Sequence, residues 1–517
     1  MEIIRKTYWG YFFILMVLTF DIFGQNTTYQ FQTGAFLSSS GITPFWIRSN
    51  EYGIVPLESQ TITFRGSMIR DYNSFSEKDS NSFNKTDKLR QHFTKFKYGY
   101  GLHAIINTGK ANQLIFPEAF LKVKYKAFEL YMGRRREIFG IVDSTLSSGS
   151  TIWSGNALPM PKIQLSTIGY APIGKAKLFA INMGYAHGWF DNSTPLKNSY
   201  LHQKWFYLKI GKPTWKINLL GGFNHQVQWG GKIDLPYKLS SVVDNKLPSS
   251  FSDYLYLVSG ISLNYSERQK KIDPSKYTSY DLTNRVGNHI GTIDIGAEVK
   301  LKNYNLTFYK QSIYDDGTLF SLGNISDGLY GFSLQKKPIQ RRRKQLYFQK
   351  VVVELFSTQS QGGAFGPEQA IPQIRGRDDY FNHGQFINGW SYSQNGIGSP
   401  FILPQTQINS NLPQNYIYEN PIKSFTNNNR VKSFYSALSL GYSYYIINVT
   451  RFSISKNLGT YRTPFDPNVK QLSIMNSTSY FHQKSNLSYK LMLGYDNGKL
   501  ITQNWGIYLG LQKVLKR

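Results

Sequence analysis

Runs of about ten residues in which apolar and polar side chains alternate constrain this chain more than any other feature. In residues 291–301 (GTIDIGAEVKL) every second residue is aliphatic, and Thr, Asp, Gly, Glu and Lys stand between. The same period recurs in residues 179–186, 434–446 and 501–511. A period of two is that of a β-strand with one apolar face, and ~10 residues suffice for a tilted strand to cross a bilayer. The alternation therefore predicts a wall of strands between water and lipid.

Composition separates the kinds of β protein that such strands could build. Aromatic residues make up 16% of the chain, yet the mean hydropathy is −0.37. A helical membrane protein could not be that polar, whereas in a barrel only every second residue faces lipid and aromatic girdles mark both interfaces. A soluble β-sandwich or propeller also alternates, but its strands are usually about 5–6 residues long. We therefore expect an all-β fold, a transmembrane antiparallel β-barrel.

The N-terminus has the pattern of an export signal. Arg5 and Lys6 precede the apolar run Tyr11–Phe20, and Ile22-Phe23-Gly24 offers a cleavage site. The alternative is a single anchoring helix, but the run is shorter than the ~20 residues that a spanning helix needs. We predict a signal peptide over residues 1–24, so that the mature protein would be one outer-membrane barrel over residues 25–517.

The size of the barrel follows from the length of the chain. At roughly 25–28 residues per strand and connection, an even strand number of about 18 fits residues 25–517. The segment 358–430, rich in Gly, Pro, Asn and Gln, is the longest of several irregular stretches. We expect such stretches to be extracellular loops or to plug the barrel. Asp496-Asn497-Gly498 predicts a hairpin turn between the last two strands.

The charge of the chain limits its partners. The formal net charge is +28, and nucleic acid is the usual partner of so basic a protein. Export argues against nucleic acid and favours outer-membrane lipid, lipopolysaccharide phosphates or an anionic polysaccharide. The chain has no Cys, so disulfides cannot contribute to its stability.

Signatures of catalysis and of cofactors are absent from the sequence. It contains no GxSxG, HExxH, phosphate-loop or zinc-ligand spacing. Asp315-Asp316 and Asp378-Asp379 are adjacent carboxylates that would point to opposite sides of a strand, unlike a glycosidase pair. We expect a non-enzymatic protein without metal or cofactor. An outer-membrane hydrolase that assembles Ser, His and Asn from distant strands stays an alternative.

Residues 137–165 (EIFGIVDSTLSSGSTIWSGNALPMPKIQL) resemble a segment of the Wzi-like capsule assembly proteins, in which a Gly/Ser-rich passage leads to an Asn-Ala-x-Pro-x-Pro run. Further similar stretches are 41–56, 185–190, 200–211, 221–231 and 386–402. The resemblance extends over most of the chain. Within that family, the sequence resembles the Bacteroidetes-type branch. It implies an outer-membrane β-barrel lectin that helps to hold capsular polysaccharide at the cell surface.

Amide side chains are the first candidates for polysaccharide binding, because amides bond to hydroxyls in two-point geometry. Asn224, Gln226 and Gln228 share one face of a predicted strand, and Trp229 lies on the other face. Asn156 belongs to the Asn-Ala-x-Pro-x-Pro run. The alternative for the row of amides is an ordinary polar barrel lumen, in which they bond to water and to each other.

Arginines and aromatic residues supply the remaining candidates. Two runs, Arg134-Arg135-Arg136 and Arg341-Arg342-Arg343, could pair with uronate carboxylates. They could equally pair with lipopolysaccharide phosphates or with acids inside the lumen. Trp153, Trp390 and Tyr392 lie in Gly/Ser/Asn-rich segments, where they could stack on sugars or pack as a plug. We expect residues 147–163 to fold inward, since their prolines end strand pairing.

These features together predict a function. The chain should be an outer-membrane, lectin-like barrel that binds capsular or other exopolysaccharide and helps to attach or assemble capsule, acting as a monomer. The alternative is a porin-like channel for oligosaccharides or anions. Conductance separates the two, because a plugged lectin should pass little current and a porin should open in steps.

Overall fold

The computed structural model describes residues 27–516 apart from 73–95, 240, 264–271, 279–280, 283–284, 316–317, 338–344, 365–375, 418–420 and 444. The predicted signal peptide over residues 1–24 lies outside the described residues, as do Arg341, Arg342 and Arg343. No helix in this part of the chain is both long and apolar enough to cross a membrane.

Eighteen antiparallel strands form a closed barrel, as the alternation and the length of the chain predict. The first strand pairs with the second and also with the last, which closes the sheet. In chain order the strands are β1 Thr27–Ser38, β2 Thr61–Arg70, β3 Lys97–Gly109, β4 Gln113–Tyr125, β5 Phe128–Arg134, β6 Lys162–Thr167, β7 Phe179–Trp189, β8 Tyr200–Ile210, β9 Ile217–Trp229, β10 Asn288–Lys300, β11 Tyr304–Asp315, β12 Gly328–Lys336, β13 Leu346–Ser357, β14 Val431–Tyr442, β15 Ile446–Gly459, β16 Pro464–His482, β17 Leu487–Gly498 and β18 Asn504–Lys516.

The apolar face of each strand points outward. In β10, Ile293 and Ile295 are 48% and 60% exposed, whereas Thr292 and Asp294, which alternate with them, are fully buried. A soluble protein shows the reverse arrangement, with apolar side chains inside. The outward apolar row is the surface that a membrane barrel presents to lipid, which confirms the predicted fold class.

The two ends of the barrel differ in the length of their connections. Short turns at 126–127, 301–303, 443–445 and 483–486 lie at the end that also holds the first and last residues of the barrel. At the opposite end lie the longest connections, 135–161, 230–287 and 358–430. We call these ends the short-turn end and the long-loop end. In outer-membrane barrels the long loops are extracellular.

Three segments from the long-loop end fold into the lumen and form a plug: residues 39–60, residues 135–161 and the described residues of 378–430. The plug and the inner wall share one large apolar cluster. At its centre are Trp46, Ile152 and Trp390, each at most 1% exposed. The inward fold that the sequence predicts for residues 147–163 is therefore present.

Helices are few in the described residues. α1 spans Phe45–Arg48 in the plug, and α2 spans Phe251–Ser259 in the connection between β9 and β10. α2 begins with a capping box between Ser250 and Asp253 and ends at Gly260 in the left-handed conformation. The sequence analysis did not predict α2.

Shorter elements complete the described fold. Three single turns of 3₁₀-helix and five short strands lie outside the eighteen barrel strands: Pro274–Lys276, Thr318–Ser321 and Gln405–Gln407, and Ala171–Ile173, Leu196–Lys197, Lys232–Ile233, Ser391–Tyr392 and Asn395–Gly396. The predicted turn at Asp496-Asn497-Gly498 is wrong. These residues still pair with β16, and the turn follows at 499–503. Asp496 points inward, where its carboxylate accepts the backbone N–H of Phe45 at 2.8 Å.

Candidate functional site

The plug segment 135–161 is held by polar side chains of the inner wall. The Asp294 carboxylate accepts the backbone N–H of Ile141 at 2.8 Å, and the Glu354 carboxylate accepts that of Ser148 at 2.7 Å. Buried backbone groups without a partner are costly, and an irregular segment lacks the regular partners of a sheet. Inward-facing acids on β10 and β13 therefore position the plug.

A cluster of four charged side chains, each at most 19% exposed, fixes the start of this segment. Arg135 forms ion pairs with Glu129 and, at 2.9 Å, with Glu137. Lys162, only 1% exposed in its side chain, pairs with Glu137 at 2.7 Å. The two carboxylates balance the positive charges of Arg135 and Lys162. These ion pairs hold Arg135 within the lumen. Of the alternatives that the sequence left open for this arginine, the structure shows pairing with lumen acids.

Glu137 lies in the plug and not in a membrane-spanning strand, and its pKa reports the strength of these pairs. Burial by itself would raise the pKa, but the positive charges of Lys162 and Arg135 lower it from 4.5 to about 2. The carboxylate is therefore ionised at neutral pH.

The two neighbouring arginines have different partners. Arg136 lies 3.9 Å from the Glu118 carboxylate and 2.9 Å from Nδ1 of His103. Arg134 donates a hydrogen bond to the Tyr392 hydroxyl at 2.8 Å and pairs with no carboxylate within 4 Å among the described residues. Of the three arginines in this run, Arg134 alone lines the cavity at the long-loop end.

We call this cavity the loop cavity. It has a volume of about 490 Å³ and is lined by residues of all three plug segments, the start of β4 and the end of β5. Its polar side chains are two guanidinium groups, five amides, one carboxylate and one hydroxyl, with apolar residues such as Val55 and Leu158 between them: Arg48, Arg134, Gln113, Asn156, Gln394, Asn395, Gln407, Glu58 and Ser393. The guanidinium groups can pair with carboxylates and the amides with hydroxyls.

Side chains within the loop cavity are already oriented by one another. Arg48 donates to the side-chain oxygen Oε1 of Gln407 at 2.5 Å, and Nε2 of Gln407 donates to Oδ1 of Asn395 at 3.2 Å. Nε of Arg48 is buried without a partner. Burial lowers the pKa of Arg48 to about 10, although Asp496 acts in the opposite direction. Arg48 nevertheless carries a positive charge at neutral pH.

Asn156 is the second predicted site residue that the structure places at the loop cavity. Its amide donates to the carbonyl of Gly396 at 3.2 Å, and its side-chain oxygen accepts the N–H of Asn50. The Asn-Ala-x-Pro-x-Pro run thus ties two plug segments together at the cavity edge.

The predicted aromatic residues pack inside the plug. Trp153 meets Phe139 edge-to-face at a centroid distance of 5.6 Å, and the Trp390 indole donates to the carbonyl of Ile152 at 2.9 Å. Both rings and that of Tyr392 are buried. Of the two roles that the sequence left open for these residues, the structure shows the packing role.

The predicted row of amides lies on the inner wall of β9. Asn224, Gln226 and Gln228 are at most 1% exposed, and a polar atom of each is buried without a partner. Trp229 lies on the outer wall, where it packs against Tyr200 and Tyr254. None of the four lines the loop cavity.

Sequence reasoning missed Arg48, Gln113, Gln394, Asn395 and Gln407. They are isolated polar residues in separate segments, so no local pattern marks them. Only the fold of the plug brings them together. Among the described residues, no group of three or more His, Asp or Glu side chains is arranged to hold a metal ion.

A second cavity, which we call the vestibule, lies on the short-turn side of the plug. Its volume is about 780 Å³. Charged residues of both signs line it, among them Asp71, Lys122, Asp143, Glu298 and Lys350. Residues 137–144 of the plug line the vestibule and residues 156–158 line the loop cavity, so this segment lies between the two.

The fold and these cavities define a class: an eighteen-stranded β-barrel of the outer-membrane type with a packed plug. No protein-family model matches the chain, and no curated protein matches it. Among solved structures, the chain is similar to Wzi, described as a carbohydrate-binding β-barrel and an outer membrane protein involved in group 1 capsule assembly in Escherichia coli. The TM-score is 0.56 at 13% identity, covering 94% of this chain and 83% of Wzi.

Two Pseudomonas aeruginosa proteins also match. The outer membrane protein OprD has a TM-score of 0.45 at 8% identity, covering 95% of this chain and 93% of its own. OpdQ has a TM-score of 0.44 at 8% identity, covering 95% and 98%. At 13% identity, the likeness to Wzi shows the fold alone.

Proposed function

We propose that this protein is a non-enzymatic outer-membrane lectin that binds capsular or other exopolysaccharide and helps to attach or assemble capsule at the cell surface. It belongs to the Wzi-like family, in the Bacteroidetes-type branch. Residues 1–24 are a signal peptide that directs export and is then cleaved. The mature protein acts as a monomer, with lipopolysaccharide around its outer wall, and it has no nucleic-acid partner.

The loop cavity carries this proposal. It sets the guanidinium groups of Arg48 and Arg134 among amides at the long-loop end, above a packed plug. Guanidinium groups bind uronate carboxylates in two-point geometry, and amides bind sugar hydroxyls. The shared fold with Wzi, a protein described as carbohydrate binding, supports the same class of ligand.

Direct binding tests the proposal. Purified protein in lipid nanodiscs is titrated with capsular polysaccharide from its own host, and the variants Arg134→Gln and Gln394→Ala are compared with it. Arg430→Gln is the matched control, because Arg430 lies 3.7 Å over the Tyr461 ring, outside the loop cavity. We expect Arg134→Gln to weaken binding by about tenfold or more, since a hydrogen bond to a charged group contributes about 1.5–3 kcal/mol. Gln394→Ala should weaken binding by about two- to tenfold, since a neutral hydrogen bond contributes about 0.5–1.5 kcal/mol. Equal binding by all four proteins would remove the loop cavity from the function.

The vestibule favours a second candidate, a porin-like channel for oligosaccharides or anions. It is a cavity inside the barrel lined by charged residues of both signs, in which Lys122 pairs with Asp71 and Lys350 with Asp143. Planar-bilayer recording separates the candidates. The lectin should pass little current because the plug fills the lumen, and stepwise openings would favour the channel.

A further inference from the structure

The outer wall of the barrel carries an element that the proposed lectin function does not use. α2 (Phe251–Ser259) lies against the outside of β7, β8 and β9. The hydroxyl of Tyr254 bonds to that of Tyr185 on β7, and Lys204 on β8 donates to the carbonyl of Val258 at 2.5 Å. Leu257 packs with Val227 and Trp229 of β9. One face of the helix is therefore sealed against the barrel.

On the opposite face of α2, two large apolar side chains are exposed among the described residues. Phe251 and Leu255, four residues apart and so on the same side of the helix, are 76% and 55% exposed. The helix contains no Lys, Arg or Glu. Its single acid, Asp253, is buried and accepts hydrogen bonds from Ser250 and from Tyr277.

The polar backbone groups at the end of α2 also have partners. Besides the bond from Lys204 to Val258, the Arg285 guanidinium donates to the carbonyl of Gly260 at 2.8 Å. The Ser259 hydroxyl donates to the carbonyl of Leu255 at 2.9 Å. Where no water is present, the backbone carbonyl groups at a helix end need such partners. In water, the solvent itself can supply the hydrogen bonds.

The position of α2 on the barrel places it next to the apolar belt. Lys204 pairs in register with Tyr185 and with His225, and this row lies beneath the helix. The next row of outward-facing side chains, one step closer to the short-turn end, consists of Met183, Phe206, Phe223 and Ile293 in register. The first three are each 38% exposed. The exposed face of α2 thus continues the surface that the strands present to lipid.

We propose that α2 lies in the membrane interface and that Phe251 and Leu255 insert among the acyl chains of the outer leaflet. Interfacial helices insert an apolar face at the boundary between headgroups and acyl chains, and α2 offers such a face while its other side packs on the barrel. Tyrosines such as Tyr185 and Tyr254 are typical of that depth. The anchor holds the connection between β9 and β10 against the outer wall. This inference rests on the proposed membrane location.

Site-directed labelling tests the inference, because the chain has no Cys. Leu255→Cys is labelled with bimane in phosphatidylcholine vesicles, with and without phosphatidylcholine that carries a nitroxide on its acyl chain. Ile295→Cys on the lipid-facing side of β10 is the positive control. Lys238→Cys, whose native side chain is 78% exposed in the loop before α2, is the aqueous control. Phe251→Cys provides a second reading, and heat-modified gel migration verifies folding of each variant.

We expect the lipid-borne nitroxide to quench the labels at residues 255 and 295 to within twofold of each other, while aqueous iodide quenches the label at residue 238. If the label at 295 is quenched by lipid and those at 251 and 255 are quenched only by iodide, the anchor is refuted and the membrane location stands. If the label at 295 is not quenched by lipid, the membrane location itself fails. Protection that grows with the protein-to-lipid ratio, without lipid quenching, would show that a second copy of the chain covers α2.

Discussion

Replacing Glu137 by Gln should destabilise the plug, because Glu137 joins two buried cations. The variant keeps the shape of the side chain and removes its charge, which leaves Lys162 without a carboxylate within 4 Å among the described residues. The pKa of Glu137 falls from 4.5 to about 2 in the folded protein. At about 1.4 kcal/mol per pKa unit this corresponds to roughly 3 kcal/mol of folding free energy, similar to the ~3–5 kcal/mol for breaking a buried pair.

The assay is equilibrium unfolding by guanidinium chloride in lipid vesicles, followed by tryptophan fluorescence and by gel migration. At pH 7 the Glu137→Gln variant should lose roughly 3 kcal/mol of the free energy of unfolding. The double variant Glu137→Gln/Lys162→Met should lose less free energy of unfolding than the sum of the two single variants. Each single variant leaves one charge of the Glu137–Lys162 pair behind, whereas the double variant removes both. A loss below about 1 kcal/mol, or strict additivity, would refute the role of this cluster.

The pH dependence of the native protein follows with a definite sign. The folded pKa of Glu137 lies below its unfolded value, so its contribution is complete above the unfolded value of 4.5 and is lost as pH falls toward about 2. The difference in stability between native protein and Glu137→Gln should therefore shrink across that window. A difference that stays constant down to pH 2 would contradict the lowered pKa.

Three further substitutions, the first with a matched glycine control, test the plug and the wall by the same unfolding assay. Gly140→Ala should cost more than about 1 kcal/mol, because Gly140 has φ +119° and a methyl group there would collide with Gln311; Gly169→Ala, with φ +60° and nothing within 4 Å, should cost less. Trp153→Ala should cost about 3–5 kcal/mol by leaving a cavity between buried rings, and an effect below 1 kcal/mol would argue against a packed plug. Ile295→Arg, on the exposed face of β10, should cost about 2–4 kcal/mol in vesicles, and a neutral effect would remove this strand from the lipid belt.

The charged run Arg134-Arg135-Arg136 illustrates what a sequence pattern leaves open. Three consecutive arginines at a strand end indicate positive charge, but not its partners. Arg135 is neutralised by Glu129 and Glu137 within a few residues of chain. Arg136 meets Glu118 on a neighbouring strand, whereas Arg134 reaches the loop cavity. Each outcome depends on which strand or loop the tertiary fold places beside the arginine side chain.

α2 was missed because its apolar side chains lie on two opposite faces. In FSDYLYLVS, Leu257 faces the barrel while Phe251 and Leu255 face outward. A helix that is apolar on opposite faces lacks the single stripe by which an amphipathic helix is recognised. The capping box at Ser250 and Asp253 was the available local signal.

The sequence alone determined the wall of this protein. Alternation is a local property, since each residue of a strand faces lipid or lumen according to its position in the run, and the chain length then sets the number of strands. The tertiary structure decided the contents of the lumen and the loop cavity. Arg48, Arg134, Asn156 and Gln407 meet only after the barrel has closed and the plug has folded inward, because their contacts depend on long-range packing that no local period encodes.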